Sequence, residues 1–185
     1  YSGVNHVGYL LLGASMFTLE SVSAVFFYLF AYMITGLCMW GIVSALKPAD
    51  SVGVRTSTIA DLGAMVKVNP VLALILAVCL FSLAGIPPLV GFYAKLGIFQ
   101  SAVNSGFFVI ASFIILTSVI STFYYIRLIK SAYFESSAKE WVFYAPLSAT
   151  QGVMITLPFF GIVFLFYNPL ILNLLSYKMA MSLFL

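Results

Sequence analysis

"SLAGIPPLVGFYAKLGIF", residues 82–99, is nearly all apolar, yet it holds two adjacent prolines, Pro87 and Pro88, and one lysine, Lys95. No acidic residue in the stretch can pair with that lysine. A proline removes a backbone donor and clashes with the preceding turn. The residue before a proline is pushed out of the α region. Gly85 and Gly91 flank the pair. The stretch therefore predicts a helix interrupted at Gly85, Pro87, Pro88 and Gly91. The apolar run extends over 71–100, which as one straight helix would be about 45 Å long. A bilayer's hydrocarbon core is only about 30 Å thick. Carbonyls freed by the break must be buried in protein or reach water, because lipid leaves them unsatisfied.

The composition makes lipid the relevant solvent. The chain is 63% hydrophobic with 7% charged residues, and its mean hydropathy is +1.15. Soluble domains carry about 25% charged residues. Such a surface cannot be covered in water, so the chain reads as one integral membrane domain over 1–185. The net charge of +3 contains no basic run, which excludes a nucleic-acid footprint. Cys38 and Cys79 lie inside apolar runs with no CxxC spacing. They read as small buried hydrophobes, and no metal site is expected.

Five spans are expected, over 1–17, 21–46, 71–100, 106–125 and 153–175. All are helical, since open strand edges are not tolerated in lipid. The fold class is thus an all-α helical bundle with one discontinuous helix. The apolar pattern is already under way at Tyr1, with no signal-peptide pattern. The chain is expected to begin in or beside its first membrane helix. Thr18 is placed to cap the second helix, with Glu20 in its first turn.

Lys47, Arg55 and Lys67 fall between the second and third spans, and Arg127, Lys130 and Lys139 between the fourth and fifth. The turns on the other side, near 17–19 and 101–105, carry no lysine or arginine. The positive-inside rule then puts loops 47–70 and 127–149 inside, with Lys178 alone on the wrong side. The first residue is expected inside and the C-terminus outside.

A broken helix beside a charge recurs at ion sites in transporters. A lysine within the bilayer is costly, about 2.5–3.5 kcal/mol on insertion scales. Held away from water, it can take and give a proton. Lys95 is therefore a candidate proton carrier. The competing reading has Lys95 far along its span, snorkelling to the headgroups, with the double proline as a packing kink. His6, in "YSGVNHVGYLLLG", can relay protons or hydrogen-bond as a packing residue. Tyr124 and Tyr125, in "STFYYIRLIK", suit a proton path or an interfacial aromatic belt. Thr117, Ser118, Ser121 and Thr122 can hold water or bond back to their own helix.

Four segments, "YSGVNHVGYLLLG", "IADLGAMVKVNPVLAL", "FSLAGIPPLVGFYAKLGIF" and "VISTFYYIRLIKSAYF", run in an order and at a spacing that carry a resemblance. Together they resemble the antiporter-like, Mrp-related membrane subunits of NADH:ubiquinone oxidoreductase (respiratory complex I). Among these they are most similar to the mitochondrially encoded chain 2 type, in its C-terminal portion. The resemblance implies two inverted five-helix repeats, each with a broken helix and a half-channel. It implies that the present chain begins within the second repeat. Lys95 matches the lysine after that repeat's break, His6 a histidine of an earlier helix, and Tyr124, Tyr125 and Arg127 a tyrosine pair before an arginine.

It further implies a proton-translocating part of the enzyme without its own redox site. NADH, FMN, iron–sulfur clusters and ubiquinone are expected in other subunits, and no cofactor in this chain. The expected partners are other membrane-arm subunits, including the N-terminal half of the same subunit, and the lipid bilayer; nucleic acid is not one. The expected location is the mitochondrial inner membrane, with the first residue on the matrix side and the C-terminus on the intermembrane-space side. Two alternatives remain beside this one: half of a cation/proton antiporter, and a membrane-arm scaffold without its own proton path.

Overall fold

The computed structural model describes residues 2–46, 59–63, 65–135 and 148–185. Lys47, Arg55 and Lys139 of the expected inside loops lie outside these residues. Eight α-helices are described: α1 (Ser2–Met16), α2 (Leu19–Ala45), α3 (Met65–Val68), α4 (Pro70–Ala84), α5 (Val90–Asn104), α6 (Phe108–Phe134), α7 (Ala149–Tyr167) and α8 (Pro169–Phe184). One 3₁₀ turn, Ile59–Leu62, precedes α3, and no strand occurs among the described residues. Three helices, α2, α6 and α7, are long and apolar enough to cross a membrane. At 27 residues each, α2 and α6 are about 40 Å long.

Local chemistry sets the ends. Thr18 caps α2, and its hydroxyl accepts from the Ser21 amide while the Ser21 hydroxyl accepts from the Thr18 amide. Glu20 stands in the first turn, at the positive end of the helix. Asn69 caps α4, and Pro70 opens it, where its missing N–H costs nothing. Ser148 and Gln151 make the same reciprocal cap for α7.

Helix α2 is the central post. α1 packs antiparallel to it, with His6 beside Tyr28 and Tyr32. On another side α7 and α8 run back along its length. The Cys38 thiol points to the Ile155 carbonyl at 3.6 Å, and Phe17 meets Phe184 with ring centroids 5.3 Å apart. The buried faces of α2, α4 and α5 form one apolar core. Phe113, Leu116, Ile120 and Phe123 of α6 point outward, as lipid-facing side chains do.

Two helices differ from the sequence expectation. The fourth runs to Phe134, well past 125. The stretch expected as one span over 153–175 is two helices parted at Asn168. Pro169 supplies no amide and forces its predecessor out of the helix, so Asn168 sits at φ −135°, ψ 68°.

Candidate functional site

The third apolar run is interrupted as the prolines require. α4 ends at Ala84 and α5 begins at Val90. Gly85 closes α4 at φ 83°, ψ 39°, a left-handed conformation that glycine adopts without a Cβ clash. Its amide reaches the carbonyls of Phe81 and Ser82, and the Ile86 amide reaches Phe81. An unbroken helix would next use the amides of residues 87 and 88 to satisfy Leu83 and Ala84. Both residues are prolines, so neither amide exists.

Lys95 supplies the substitute for one of them. Its Nζ donates to the Ala84 carbonyl at 2.8 Å. The ammonium thus caps the negative end of α4, where a cation is favoured. A hydrogen bond from a charged donor contributes about 1.5–3 kcal/mol. The Thr122 hydroxyl approaches the same carbonyl at 3.5 Å. Thr122 lies near the middle of α6, so the Lys95 ammonium sits at mid-length of that helix and not at an end. The lysine is 8% exposed, and no carboxylate among the described residues pairs with it. Its Nζ lies 5.5 Å from the centre of the Tyr9 ring.

Gly91 lets the two half-helices close up. A Cβ there would stand 1.8 Å from the Ser82 carbonyl oxygen. The Gly91 amide donates to the Ser82 hydroxyl at 3.3 Å, which stitches α5 to α4.

His6 is buried on α1 and is hydrogen-bonded at both ring nitrogens. Nδ1 lies 2.6 Å from the Tyr28 hydroxyl and Nε2 lies 2.9 Å from that of Tyr125. Tyr125 is also 2.5 Å from the Ser2 hydroxyl. A chain Ser2–Tyr125–His6–Tyr28 results, linking α6, α1 and α2. A small cavity follows it, lined by His6, Tyr28, Thr35, Ser82, Gly91 and Lys95 among others. Tyr124 stays outside this chain and packs its ring on Tyr125, centroids 4.5 Å apart. Arg127 is exposed. The hydroxyls of Thr117, Ser118, Ser121 and Thr122 all bond back to carbonyls of α6, and Thr117 also meets the Tyr9 hydroxyl at 3.0 Å.

Ser2, Tyr9, Tyr28 and Ser82 were not among the sequence candidates. Tyr28 had a signal. Tyr28, Ala31, Thr35 and Cys38 are buried and fall at helical spacing on α2; the first three line the cavity shared with α1 and α5.

A model of the NADH:quinone oxidoreductase/Mrp antiporter transmembrane family matches residues 1–121. The chain belongs to that family. The matched segment contains His6, the helix break and Lys95; Tyr124 and Tyr125 lie beyond it. Chain 2 of NADH-ubiquinone oxidoreductase from Marchantia polymorpha is 40% identical over 183 residues, covering 99% of the chain and 36% of the relative. The Oenothera berteroana protein of the same name is 38% identical over the whole chain, covering 37% of that relative. The chain thus spans little more than a third of the length of these relatives. Subunit N of NADH-quinone oxidoreductase from Rhodospirillum rubrum is 38% identical over 152 residues, covering 82% of the chain and 29% of the relative.

Two solved structures share the fold. A chain of respiratory complex I from Thermus thermophilus superposes with a TM-score of 0.77 at 24% identity, covering 93% of the present chain and 38% of that one. A chain of the Mrp complex from Dietzia sp. DQ12-45-1b gives 0.76 at 19% identity, covering 95% and 40%. The NADH:quinone oxidoreductase/Mrp antiporter family is thereby placed on an all-helical membrane fold, and the present chain with it.

Proposed function

We propose that the chain is part of a proton-translocating membrane-arm subunit of NADH:ubiquinone oxidoreductase, with Lys95 as its proton carrier. One observation carries this reading. The Lys95 ammonium is buried at mid-length of α6, and its partner is a carbonyl that Pro88 leaves without an amide. A neutral amine keeps N–H donors but loses the charge, so its bond to that carbonyl weakens, and a returning proton would strengthen it again. The position of the lysine is thus tied to its protonation. His6 and Tyr125 supply exchangeable protons nearby, and Tyr124 borders them.

The relatives' names support the enzyme, and the family supports the membrane arm. In this reading the chain lies in the mitochondrial inner membrane as a piece of the second inverted repeat. The rest of the subunit and other membrane-arm subunits surround it. The start of α1 and the C-terminal end of α6 face the matrix, as the placement of Lys67, Lys130 and Arg127 suggests. The redox groups belong to other subunits.

A scaffold role is the second reading, since an ammonium capping a broken helix also stabilises it. Two variants separate the readings. Lys95→Ala removes both carrier and charge. Lys95→Arg keeps the charge but holds its proton to above about pH 12, so it cannot act as a carrier. NADH-driven proton uptake in sealed vesicles, normalised to assembled complex, is expected to fall strongly in both. Full pumping by an assembled Lys95→Arg complex would leave Lys95 a fixed structural charge.

A further inference from the structure

We infer that Tyr28 is the proton relay between His6 and Lys95, acting through the cavity that all three line. The inference rests on the reading of Lys95 as a carrier. Tyr28 is 3% exposed and stands between the apolar Phe27 and Leu29 on α2. Its hydroxyl is 2.6 Å from His6 Nδ1. It also borders the cavity that holds Lys95, Ser82 and Thr35. That cavity has room for about one water molecule. A single water needs two to four polar partners, and Tyr28, Ser82 and Lys95 offer them.

The arrangement balances as a proton transfer. With His6 protonated on Nδ1, Nε2 accepts from the Tyr125 hydroxyl. The neutral amine of Lys95 takes a proton from the cavity water, and that water takes the hydroxyl proton of Tyr28. The Tyr28 oxygen receives the proton from His6 Nδ1, and His6 Nε2 receives that of Tyr125. The Tyr125 oxygen takes the proton of Ser2, which takes one in turn from water. One proton enters at Ser2 and one arrives on Lys95. No other atom is gained or lost, and His6 ends neutral with its proton on Nε2. Rotation of the hydroxyls and a turn of the His6 ring reset the chain.

A tyrosine that only fills space would do as well as phenylalanine. Tyr28→Phe in the assembled membrane complex keeps the ring and removes the relay. Proton uptake per assembled complex is expected to fall by about tenfold, below the usual scale for losing a proton-transfer group because a second water can occupy the vacated space. Lys95→Ala combined with Tyr28→Phe is expected to pump no worse than Lys95→Ala alone. Tyr28→His returns an exchangeable ring proton, and pumping is expected to recover severalfold over Tyr28→Phe at equal assembly. A packing residue would not show that recovery, and Tyr28→His serves as the test should Tyr28→Phe fail to assemble. Wild-type pumping by Tyr28→Phe, with pumping lost in Lys95→Ala, would overturn the relay and leave the carrier standing. Wild-type pumping in Lys95→Ala would remove the carrier and the relay together.

Discussion

Among the described residues, two proline-made breaks part helices of 15 residues or more, and they differ in what surrounds them. Between α4 and α5 the non-helical residues are 85–89, and the ends are stitched by Gly91, Ser82 and Lys95. Between α7 and α8 a single residue, Asn168, is non-helical. It is exposed, between the outward-facing Tyr167 and Leu170. The first break buries a carbonyl that must find a donor, and the chain answers with an ammonium. The second has no hydrogen bond from a charged side chain among the described residues and lets two helices follow α2. Proline alone therefore does not make a site. The side chain that satisfies the freed backbone distinguishes the two.

The sharpest way to break that contrast is to disturb the closure of the first. Gly91→Ala would set a Cβ 1.8 Å from a backbone oxygen that cannot step aside cheaply. The cost is expected to reach about 3 kcal/mol or more, at the upper end for overpacking. Little assembled complex should remain in native gels, and its unfolding midpoint should drop. Normal assembly would mean that the half-helices are not closely packed.

A smaller effect is expected at Gly85. The left-handed backbone costs a non-glycine residue about 1–2 kcal/mol. The new Cβ would lie 2.8 Å from Lys95 Cδ, the flexible part of a side chain that can move. Gly85→Ala should therefore assemble but shift the ammonium from the Ala84 carbonyl. Proton uptake per assembled complex should fall more than assembly does. Equal falls would make Gly85 a purely structural residue.

Much of this contrast could be read from residues, and some could not. Pro87-Pro88 announced the first break because two lost donors in an apolar run leave no continuous helix. The depth of Lys95 was not legible. A straight count along the span carried it toward the surface, and only the turn at Gly85 brings it back to Ala84. The polar line on α6 is visible in the sequence, and its hydroxyls bond back to carbonyls three or four residues earlier; the added contacts of Thr117 with Tyr9 and of Thr122 with Ala84 depend on neighbours distant in sequence. The spacing of Tyr28 with Ala31, Thr35 and Cys38 marks a buried face, but the partner that gives Tyr28 its role, His6, lies on another helix and has no local mark. Pro169 sat inside an apolar run that looked long enough for one span, and its effect on Asn168 is purely local.

The smallest effect belongs to the second break. Pro169→Ala restores an amide that can reach the Leu165 carbonyl, so α7 and α8 can join through Asn168. Proline at the first helical position is favourable but replaceable. Asn168 is exposed, so water can reach the backbone at that point either way. The change in stability is expected to stay below about 1 kcal/mol, read as a small shift of the unfolding midpoint. Pumping per assembled complex should match the parent. A large loss of pumping with normal assembly would place a working part at the second break. The difference between a break that holds a lysine and one that only bends a helix would then disappear.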